Sequence, residues 1–184
     1  MKEQPVIELE RIILRPFSLS DAKEVQSLAG DEAVDRTTLN IPHPYLDGMA
    51  EQWIGTHKSD FENCKGAVFA IVLKGSQKLC GAIGLSSIDM HYERAELGYW
   101  IGVPYWGQGY CTEAAKEVVR FGFEDLKLNR IYAQYFSGNT ASGRVMQKIG
   151  MQREGCLRQH VKKYDKFMDI VCYAILKDEW KEQN

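Results

Sequence analysis

A short glycine loop is the part of the sequence best suited to chemistry. Gly107-Gln108-Gly109 separates an apolar, aromatic-rich run at 95–102 from apolar residues that recur at a helical period from Ala114 onward. The run suits a buried strand that Pro104 ends, because proline offers no N–H to a sheet. The first N–H groups of a helix lack partners, and the helix dipole favours negative charge there. The stretch therefore predicts an anion site, with phosphate as the expected ligand.

Two familiar phosphate loops do not fit this stretch. Gly102 and Gly107 have the spacing that begins a nucleotide P-loop, but Gln108-Gly109 stands where Lys-Ser/Thr should be. The dinucleotide fingerprint fails because Thr112 replaces its third glycine and no acidic ribose partner is evident. Thr112 is instead predicted to cap the helix that follows. On the glycines alone, a tight strand–helix connection without a ligand stays open as an alternative.

Glu96 is a carboxylate in an otherwise apolar strand. If the side chain is half-buried, its pKa rises toward the range in which a carboxylate accepts a proton, directly or through water. Glu96 is therefore a candidate general base. The alternative is a side chain that points to solvent or pairs with an arginine such as Arg94.

The composition narrows the class of protein. A chain of 184 residues, 45% hydrophobic and 26% charged, suits a single soluble globular domain over residues 1–184. The net charge of −2 implies no direct nucleic-acid binding. No signal peptide or membrane-spanning run is evident. Five scattered cysteines suit reduced thiols in the cytoplasm, and four histidines without ligand spacing argue against a metal.

The elements that position the loop follow from periodicity, prolines and glycines. Strands are predicted at 7–15, 66–73, 79–88, 95–102, 130–136, 154–160 and 167–176, the last two as a hairpin across 162–166. Helices are predicted after a cap at Ser20, at 48–63, from Ala114, and at 141–149 with Gly150 ending the last. The segment 40–45 is expected to be irregular because it holds two prolines.

The loop resembles the acetyl-CoA-binding motif of the GNAT superfamily of N-acetyltransferases, Arg/Gln-x-x-Gly-x-Gly/Ala. Trp106 stands where that motif has Arg/Gln, and Cys111 replaces the usual small residue. The fuller string Trp-Gly-x-Gly-Tyr-x-Thr-Glu-Ala is similar to the RimJ/RimL branch, which acetylates protein N-termini. The resemblance covers nearly the whole chain. It implies the α+β GNAT fold, a mixed, strongly twisted sheet with helices on both faces, whose splayed central strands at 95–102 and 130–136 hold acyl-CoA.

The resemblance also implies which residues contact acetyl-CoA. The pyrophosphate is expected on main-chain N–H groups of the loop and helix start, at Gln108, Gly109, Cys111 and Thr112. The pantetheine arm is expected to pair with the open strand edge at Tyr99, Trp100 and Ile101. Core packing is the simpler interpretation of the Tyr99 and Trp100 side chains. Backbone amides at 97–99 would polarise the thioester oxygen, and Gly98 permits a bulge there.

Asn139-Thr140-Ala141-Ser142 resembles the Asn-x-x-Ser motif of the RimJ/RimL branch. There the serine is thought to protonate the leaving thiolate and the asparagine contacts coenzyme A, so Ser142 is the implied general acid and Asn139 a cofactor contact. A capping role for Ser142 is the alternative. Many other GNAT enzymes use a tyrosine acid at the position of Met146, which cannot donate a proton.

Contacts to the acceptor are expected from Arg158, His160, Tyr164 and Asp169. An ordinary hairpin salt bridge is the alternative for Asp169. Covalent catalysis through Cys111 is disfavoured, because no histidine is adjacent in sequence and the family transfers acetyl directly.

The sequence is therefore interpreted as an acetyl-CoA-dependent N-acetyltransferase. Its predicted acceptor is a primary amine, the N-terminal α-amine of a protein such as a ribosomal protein. A small-molecule enzyme acting on a polyamine, aminoglycoside or amino acid is one alternative, which a narrow acidic pocket would favour over an open cleft. A non-catalytic acyl-CoA-binding module is the other, supported only by Met146. Relatives in this branch are often dimers, so a homodimer is an expectation by analogy.

Overall fold

The computed structural model describes residues 3–183, with side chains for residues 3–180. The strands are Ile7–Glu8 (β1), Ile12–Pro16 (β2), Ala67–Leu73 (β3), Leu79–Asp89 (β4), Arg94–Ile101 (β5), Arg130–Phe136 (β6), Gln152–Lys163 (β7) and Lys166–Leu176 (β8). The helices are Ala22–Ala29 (α1), Glu32–Asp35 (α2), Met49–Glu62 (α3), Tyr110–Glu124 (α4), Thr140–Lys148 (α5) and Lys177–Gln183 (α6).

The strands form one sheet in the order β1-β2-β3-β4-β5-β6-β8-β7. Every neighbouring pair is antiparallel except β5 and β6, which are parallel. This is the mixed α+β architecture expected from the sequence. Within residues 3–183, no helix combines the length and the apolar character needed to cross a membrane.

Two hydrophobic clusters cover opposite faces of the sheet, because successive strand residues point to opposite sides. Phe69 and Ile71 of β3 pack with the buried stripe of α4, on a side named here the α4 face. Ala70 and Val72 pack with α1 and α3 on the other side, the α1–α3 face. Helices on both faces are therefore confirmed.

The two central strands diverge after a short stretch of pairing. β5 and β6 pair only at Arg94–Arg130, Ala95–Ile131 and Glu96–Tyr132. Beyond that point β5 stays with β4 as far as Ile101, while β6 stays with β8 as far as Phe136. The predicted splay is confirmed, and it leaves one edge of β5 without a strand partner beyond the N–H of Leu97.

The N-terminal predictions need correction. The run 7–15 is not one strand but the hairpin of β1 and β2, in which Ile7 pairs with Leu14 and Leu9 N–H donates to the Ile12 carbonyl at 2.9 Å. Ser20 does not cap the first helix. Ser18 instead caps a short 3₁₀ turn at Leu19–Asp21 that precedes α1: its hydroxyl accepts from Ser20 N–H, while Asp21 accepts from Ser18 N–H. Helix α1 itself follows Asp21 without a side-chain capping bond.

The remaining elements agree with the predictions more closely. Helix α3 fills the range between its caps Gly48 and Asn63, and 40–45 holds no helix or strand. The last hairpin is longer than predicted, because β7 and β8 continue to a turn at Tyr164 and Asp165. Helices α2 and α6 were not predicted. The bulge permitted at Gly98 is absent: Gly98 pairs in regular register with Gly84, and the irregularity falls between Ser86 and Asp89.

Candidate active site

A cleft of about 790 Å³ opens where β5 and β6 separate, a volume typical of small-molecule sites. The splayed edge of β5, the start of α4, the start of α5 and the segment 37–41 line it. Nearly all the sequence-predicted site residues lie in this lining: Glu96, Tyr99, Trp100, Ile101, Gly109, Cys111, Thr112, Asn139 and Ser142. Gln108 is outside it, and its side chain donates to the Pro104 carbonyl at 3.0 Å.

The glycine loop ends in an unpartnered helix start. Gly109 has φ 83° and forms the N-cap of α4, so the helix begins at Tyr110 and the predicted cap at Thr112 is wrong. The first helical bond runs from Glu113 N–H to the Gly109 carbonyl at 3.1 Å. The four N–H groups from Gly109 to Thr112 therefore lack helical acceptors, and no described residue accepts from them. These unpartnered groups lie where the sequence predicts an anion site, and they include the N–H of Tyr110, which was not predicted.

Arg11 braces the loop from the turn between β1 and β2. Its guanidinium donates to the Gln108 carbonyl at 2.9 Å and to Glu113 Oε2 at 2.8 Å, and lies 4.9 Å from the centre of the Tyr110 ring. Its backbone N–H also donates to Glu113 Oε1 at 3.1 Å. Sequence reasoning missed Arg11, because the contact depends on the hairpin of β1 and β2, which was predicted as one continuous strand at 7–15.

The hydrogen-bond pattern shows which groups of β5 face the cleft. Gly102 N–H donates to the Cys80 carbonyl of β4 at 2.9 Å, and the Ile101 carbonyl accepts from Trp106 Nε1 at 2.6 Å on the other side. Backbone groups of successive strand residues alternate in direction. The outward groups are therefore those of Leu97, Tyr99 and Ile101, whereas the Trp100 backbone, predicted to pair with pantetheine, faces β4. Trp106 caps the strand end in addition to packing at the surface.

Glu96 lies on the α1–α3 face, together with Gly98 and Trp100, because alternate residues share a face. Its carboxyl is half-buried, and this burial raises its pKa above the ordinary value. The alternative pairing with Arg94 does not form, since Arg94 lies 3.9 Å from Asp89. Within the described residues no ion pair holds Glu96, so its carboxylate is available to the cleft.

Ser142 lies beyond the α4 face of the same strand and is buried, with 9% exposure. Its Oγ is 2.9 Å from the Tyr99 hydroxyl, which also lies 3.1 Å from the Ser142 carbonyl. The capping alternative for Ser142 is wrong: Asn139 caps α5 by accepting from Ser142 N–H at 3.2 Å, while its amide donates to the Thr37 carbonyl at 3.4 Å. The Tyr99 hydroxyl was missed, because its partner is 43 positions away.

Met146 and Cys111 are the two lining side chains for which the sequence left a catalytic role in question. Met146 is 1% exposed in the core and offers no proton. Burial raises the pKa of the Cys111 thiol above its ordinary range, which disfavours the thiolate. No histidine occurs among the described lining residues to activate it. Both observations disfavour Cys111 as a nucleophile.

The four residues predicted from the sequence to contact the acceptor lie outside the lining of this cleft. Arg158, His160, Tyr164 and Asp169 are absent from the cleft lining. Asp169 accepts from Gln159 N–H at 2.8 Å, which is a hydrogen bond within the hairpin and not a salt bridge.

The segment 37–41 forms one wall of the cleft and is fastened to the last hairpin. Lys163 Nζ lies 2.8 Å from Asp35 Oδ1 and also donates to the carbonyls of Asp35 and Thr38. The Tyr164 hydroxyl donates to the same Asp35 oxygen at 3.0 Å. Asp35 is 3% exposed, so this fastening is a buried ion pair.

Charge in the cleft is sparse. Among the described lining residues, Glu96 is the single carboxylate, and Arg144 and Lys148 of α5 are the cations. No group of three or more His, Cys, Asp or Glu within the described chain could hold a metal ion.

The chain is similar to known acetyltransferases. Residues 11–152 match the family model described as acetyltransferase (GNAT) domain. Two relatives come from Bacillus subtilis (strain 168). The uncharacterized N-acetyltransferase YoaA is 31% identical over 94% of this chain and 97% of its own. The putative ribosomal N-acetyltransferase YdaF is 33% identical over 94% of each. A crystal structure of a GNAT-family acetyltransferase from Bacillus anthracis superposes with a TM-score of 0.84 and 28% identity, covering 95% of this chain and 99% of that one.

Proposed function

Since the chain belongs to the GNAT acetyltransferase family and is an acetyl-CoA-dependent N-acetyltransferase, we propose that it acts as a single RimJ/RimL-like domain on the N-terminal α-amine of a protein. A ribosomal protein is the acceptor we favour. The observation that carries this choice is the acceptor side of the cleft, which is open and holds one carboxylate, Glu96. A polyamine carries several positive charges and calls for several carboxylates, whereas an N-terminus brings one ammonium group.

The cofactor half of the proposal rests on backbone groups. The free N–H groups from Gly109 to Thr112 suit the pyrophosphate of acetyl-CoA, because a helix start binds anions. Arg144 and Lys148 line the cleft one helical turn apart on α5 and suit further phosphate oxygens. The N–H and C=O groups of Tyr99, which face outward from β5, suit the amides of the pantetheine arm, which resembles a peptide. The Ile101 carbonyl already accepts from Trp106.

The catalytic roles follow from the two faces of β5. Glu96, on the α1–α3 face, accepts the proton of the incoming amine, and its raised pKa suits a general base. The Tyr99 N–H faces the cleft edge beyond the last pairing of β5 with β6, and it polarises the thioester oxygen. Ser142, beyond the α4 face, gives its proton to the leaving thiolate. Base and acid thus act from opposite sides of the strand that holds the thioester.

The two alternatives have less support. A polyamine acetyltransferase would need an acidic pocket. In the described lining of this cleft, two cationic residues stand against one carboxylate. A non-catalytic module gains support from Met146, but Ser142 and Tyr99 place two hydroxyls in the same cleft. We assign the protein to the cytoplasm, in keeping with five free thiols and the ribosomal acceptor.

Thiol release from acetyl-CoA tests the proposal. The acceptors are peptides with free α-amines, the same peptides with blocked N-termini and an internal lysine, spermidine, and an aminoglycoside. We expect turnover with the free peptides alone. Turnover confined to the small amines would overturn the acceptor, and turnover with the blocked peptides would replace the α-amine by lysine. Acetyl-CoA that binds in calorimetry with no turnover on any acceptor would favour the non-catalytic module.

A further inference from the structure

The Tyr99 hydroxyl makes contacts that core packing does not require. It lies 2.9 Å from Ser142 Oγ and 3.1 Å from the Ser142 carbonyl, and both side chains line the cleft. The Tyr99 ring itself packs against the hydrophobic cluster of the α4 face. The ring is therefore held by the core, while its hydroxyl is aimed at one serine on another element.

The hydroxyl groups of Tyr99 and Ser142 have only two protons to donate between them. A phenol has one proton to donate, and a serine hydroxyl has one proton and two lone pairs. The Ser142 carbonyl belongs to the first turn of α5, where a carbonyl normally accepts from the N–H four residues on. The Tyr99 proton is therefore best used on Ser142 Oγ, which frees the Ser142 proton to point into the cleft.

We propose that Tyr99 is a positioning residue for Ser142: its hydroxyl donates to Ser142 Oγ and directs the serine proton at the leaving thiolate. The inference rests on the proposed role of Ser142 as the general acid. In the step, the Ser142 O–H bond breaks and an S–H bond forms on coenzyme A. The serine oxygen keeps the electron pair, and the Tyr99 hydrogen bond stabilises its charge. The proton that Glu96 took from the amine then returns through solvent to the serine oxygen, which restores both groups.

The surroundings keep Tyr99 in the state that this role needs. Burial raises the pKa of Tyr99 above its ordinary value, so the phenol stays protonated throughout the working range of pH. A neutral phenol donates a hydrogen bond at every such pH. The same burial strengthens a hydrogen bond to a developing negative charge, because little water competes for it.

Tyr99→Phe removes the hydroxyl and leaves the ring. A hydrogen bond to a charged oxygen corresponds to roughly a tenfold change in rate, so we expect kcat with acetyl-CoA to fall by about that factor with KM for acetyl-CoA unchanged. The matched control is Tyr173→Phe. Tyr173 is also a buried phenol bonded to α5, but its hydroxyl accepts from Gln147 Nε2 at 3.1 Å and does not contact Ser142. We expect that variant to keep its kcat.

A better leaving group separates proton delivery from structural damage. With an acetyl thioester of an acidic aromatic thiol, the departing thiolate needs no proton, so Tyr99→Phe and Ser142→Ala should both approach the wild-type kcat. A defect in Tyr99→Phe that persists with this donor would overturn the proposal, because it would come from altered packing. Ser142→Ala breaks the same hydrogen bond from the other side, so the test does not depend on one variant.

The double variant completes the test. If Tyr99 acts through Ser142, adding Tyr99→Phe to Ser142→Ala should cost nothing further with acetyl-CoA. A second loss of the same factor would overturn the inference and leave Ser142 as the acid. An unimpaired Ser142→Ala enzyme would overturn both roles. The measurements use whichever amine turns over fastest, so an error in the proposed acceptor leaves this comparison intact.

Discussion

The two sides of the cleft are held in different ways. The coenzyme side consists mainly of backbone groups, namely the N–H groups that start α4 and the open edge of β5. The proposed acceptor side, on the α1–α3 face, is supported by side chains buried away from water. Of the four buried polar or charged side chains among the described residues, Asp21, Asp35 and His57 lie in elements of the α1–α3 face, and Ser142 lies beyond the α4 face.

The use of backbone groups on one side and buried side chains on the other determines which substitutions each side of the cleft can tolerate. Backbone N–H groups are present whatever the side chain, so α4 still begins at Tyr110 although Trp106 and Cys111 depart from the acetyl-CoA motif. A buried carboxylate or imidazole depends on one particular partner or on an apolar cage. We therefore expect substitutions on the acceptor side to have large effects on the acceptor and on stability, and substitutions in the glycine loop to affect acetyl-CoA first.

The largest effect is expected at the acceptor-side carboxylate. Glu96→Gln keeps the shape but cannot accept a proton, so kcat should fall by about 10²–10⁴ with KM for acetyl-CoA little changed. The pH profile is the sharper measurement. Wild-type activity should fall as pH drops through the raised pKa of Glu96, because the base becomes protonated. The variant should lack that limb. A wild-type turnover retained in Glu96→Gln across pH would remove Glu96 as the base.

The second effect concerns the fastening of the acceptor-side wall. Lys163→Met leaves Asp35 buried without its cation, which costs about 3 kcal/mol in the free energy of unfolding. The freed wall should raise KM for the acceptor and leave KM for acetyl-CoA unchanged. Urea unfolding and steady-state kinetics measure the two effects.

Lys162→Met is the control on the same hairpin. Lys162 lies 3.4 Å from Asp165 in an exposed pair, which contributes less than about 1 kcal/mol. Adding Asp35→Asn to Lys163→Met should recover part of the lost stability, because the uncompensated charge is gone. A Lys163→Met protein as stable as the Lys162→Met protein would mean that the wall is not held in this way.

The third effect is acid sensitivity on the acceptor side. His57 is 7% exposed, lies between Phe17 and Trp53, and has no hydrogen-bond partner for either ring nitrogen among the described residues. Burial lowers its pKa from 6.5 to about 4. Between those values the unfolded chain binds a proton that the folded chain refuses, so stability falls as pH falls, by at most about 3 kcal/mol.

His57→Phe should remove this pH dependence, and His91→Phe, at an exposed histidine in a turn, should keep it. Thermal unfolding of the three proteins between pH 7.5 and pH 4 measures the slope. Parallel slopes for the wild type and His57→Phe would mean that another group governs the acid sensitivity.

The same contrast explains what the sequence could predict. The glycine loop was recognisable because its strand end, glycines and helix start are neighbours in the chain, and local chemistry fixes their conformation. The wall at 37–41 was not recognisable, because it is fastened by Lys163 to Asp35, 128 positions away. The reversal between β1 and β2 was hidden for a related reason. Glu and Arg are not residue types that favour turns, and the partners of Arg11, Gln108 and Glu113, lie at the start of α4, far along the chain.

The capping errors have a different origin. Ser18, Ser20, Asn139 and Ser142 are all good capping types, so residue type alone does not choose among them. The choice depends on where the helix begins, which varies by one or two residues with the packing of the first turn. At α4 the left-handed conformation of Gly109 moved the start to Tyr110, ahead of the Thr112 cap that the pattern predicted.

The smallest effect compares one glycine from each side. Gly109 has φ 83°, and a Cβ there would lie 3.3 Å from Arg11 Nη2. Gly109→Ala is therefore strained by about 1–2 kcal/mol, and should raise KM for acetyl-CoA roughly tenfold with KM for the acceptor unchanged. Gly98 lies beside Glu96 on the acceptor side, and a Cβ there would meet nothing within 4 Å.

Gly98→Ala adds the same methyl group without strain, so the free energy of unfolding should not change. The methyl group fills space that the incoming amine crosses, and KM for the acceptor should rise a few-fold with KM for acetyl-CoA unchanged. Kinetics with each substrate varied in turn separate the two variants. If both substitutions moved the same KM, acetyl-CoA and the acceptor would share one part of the cleft, and its assignment to two sides would be wrong.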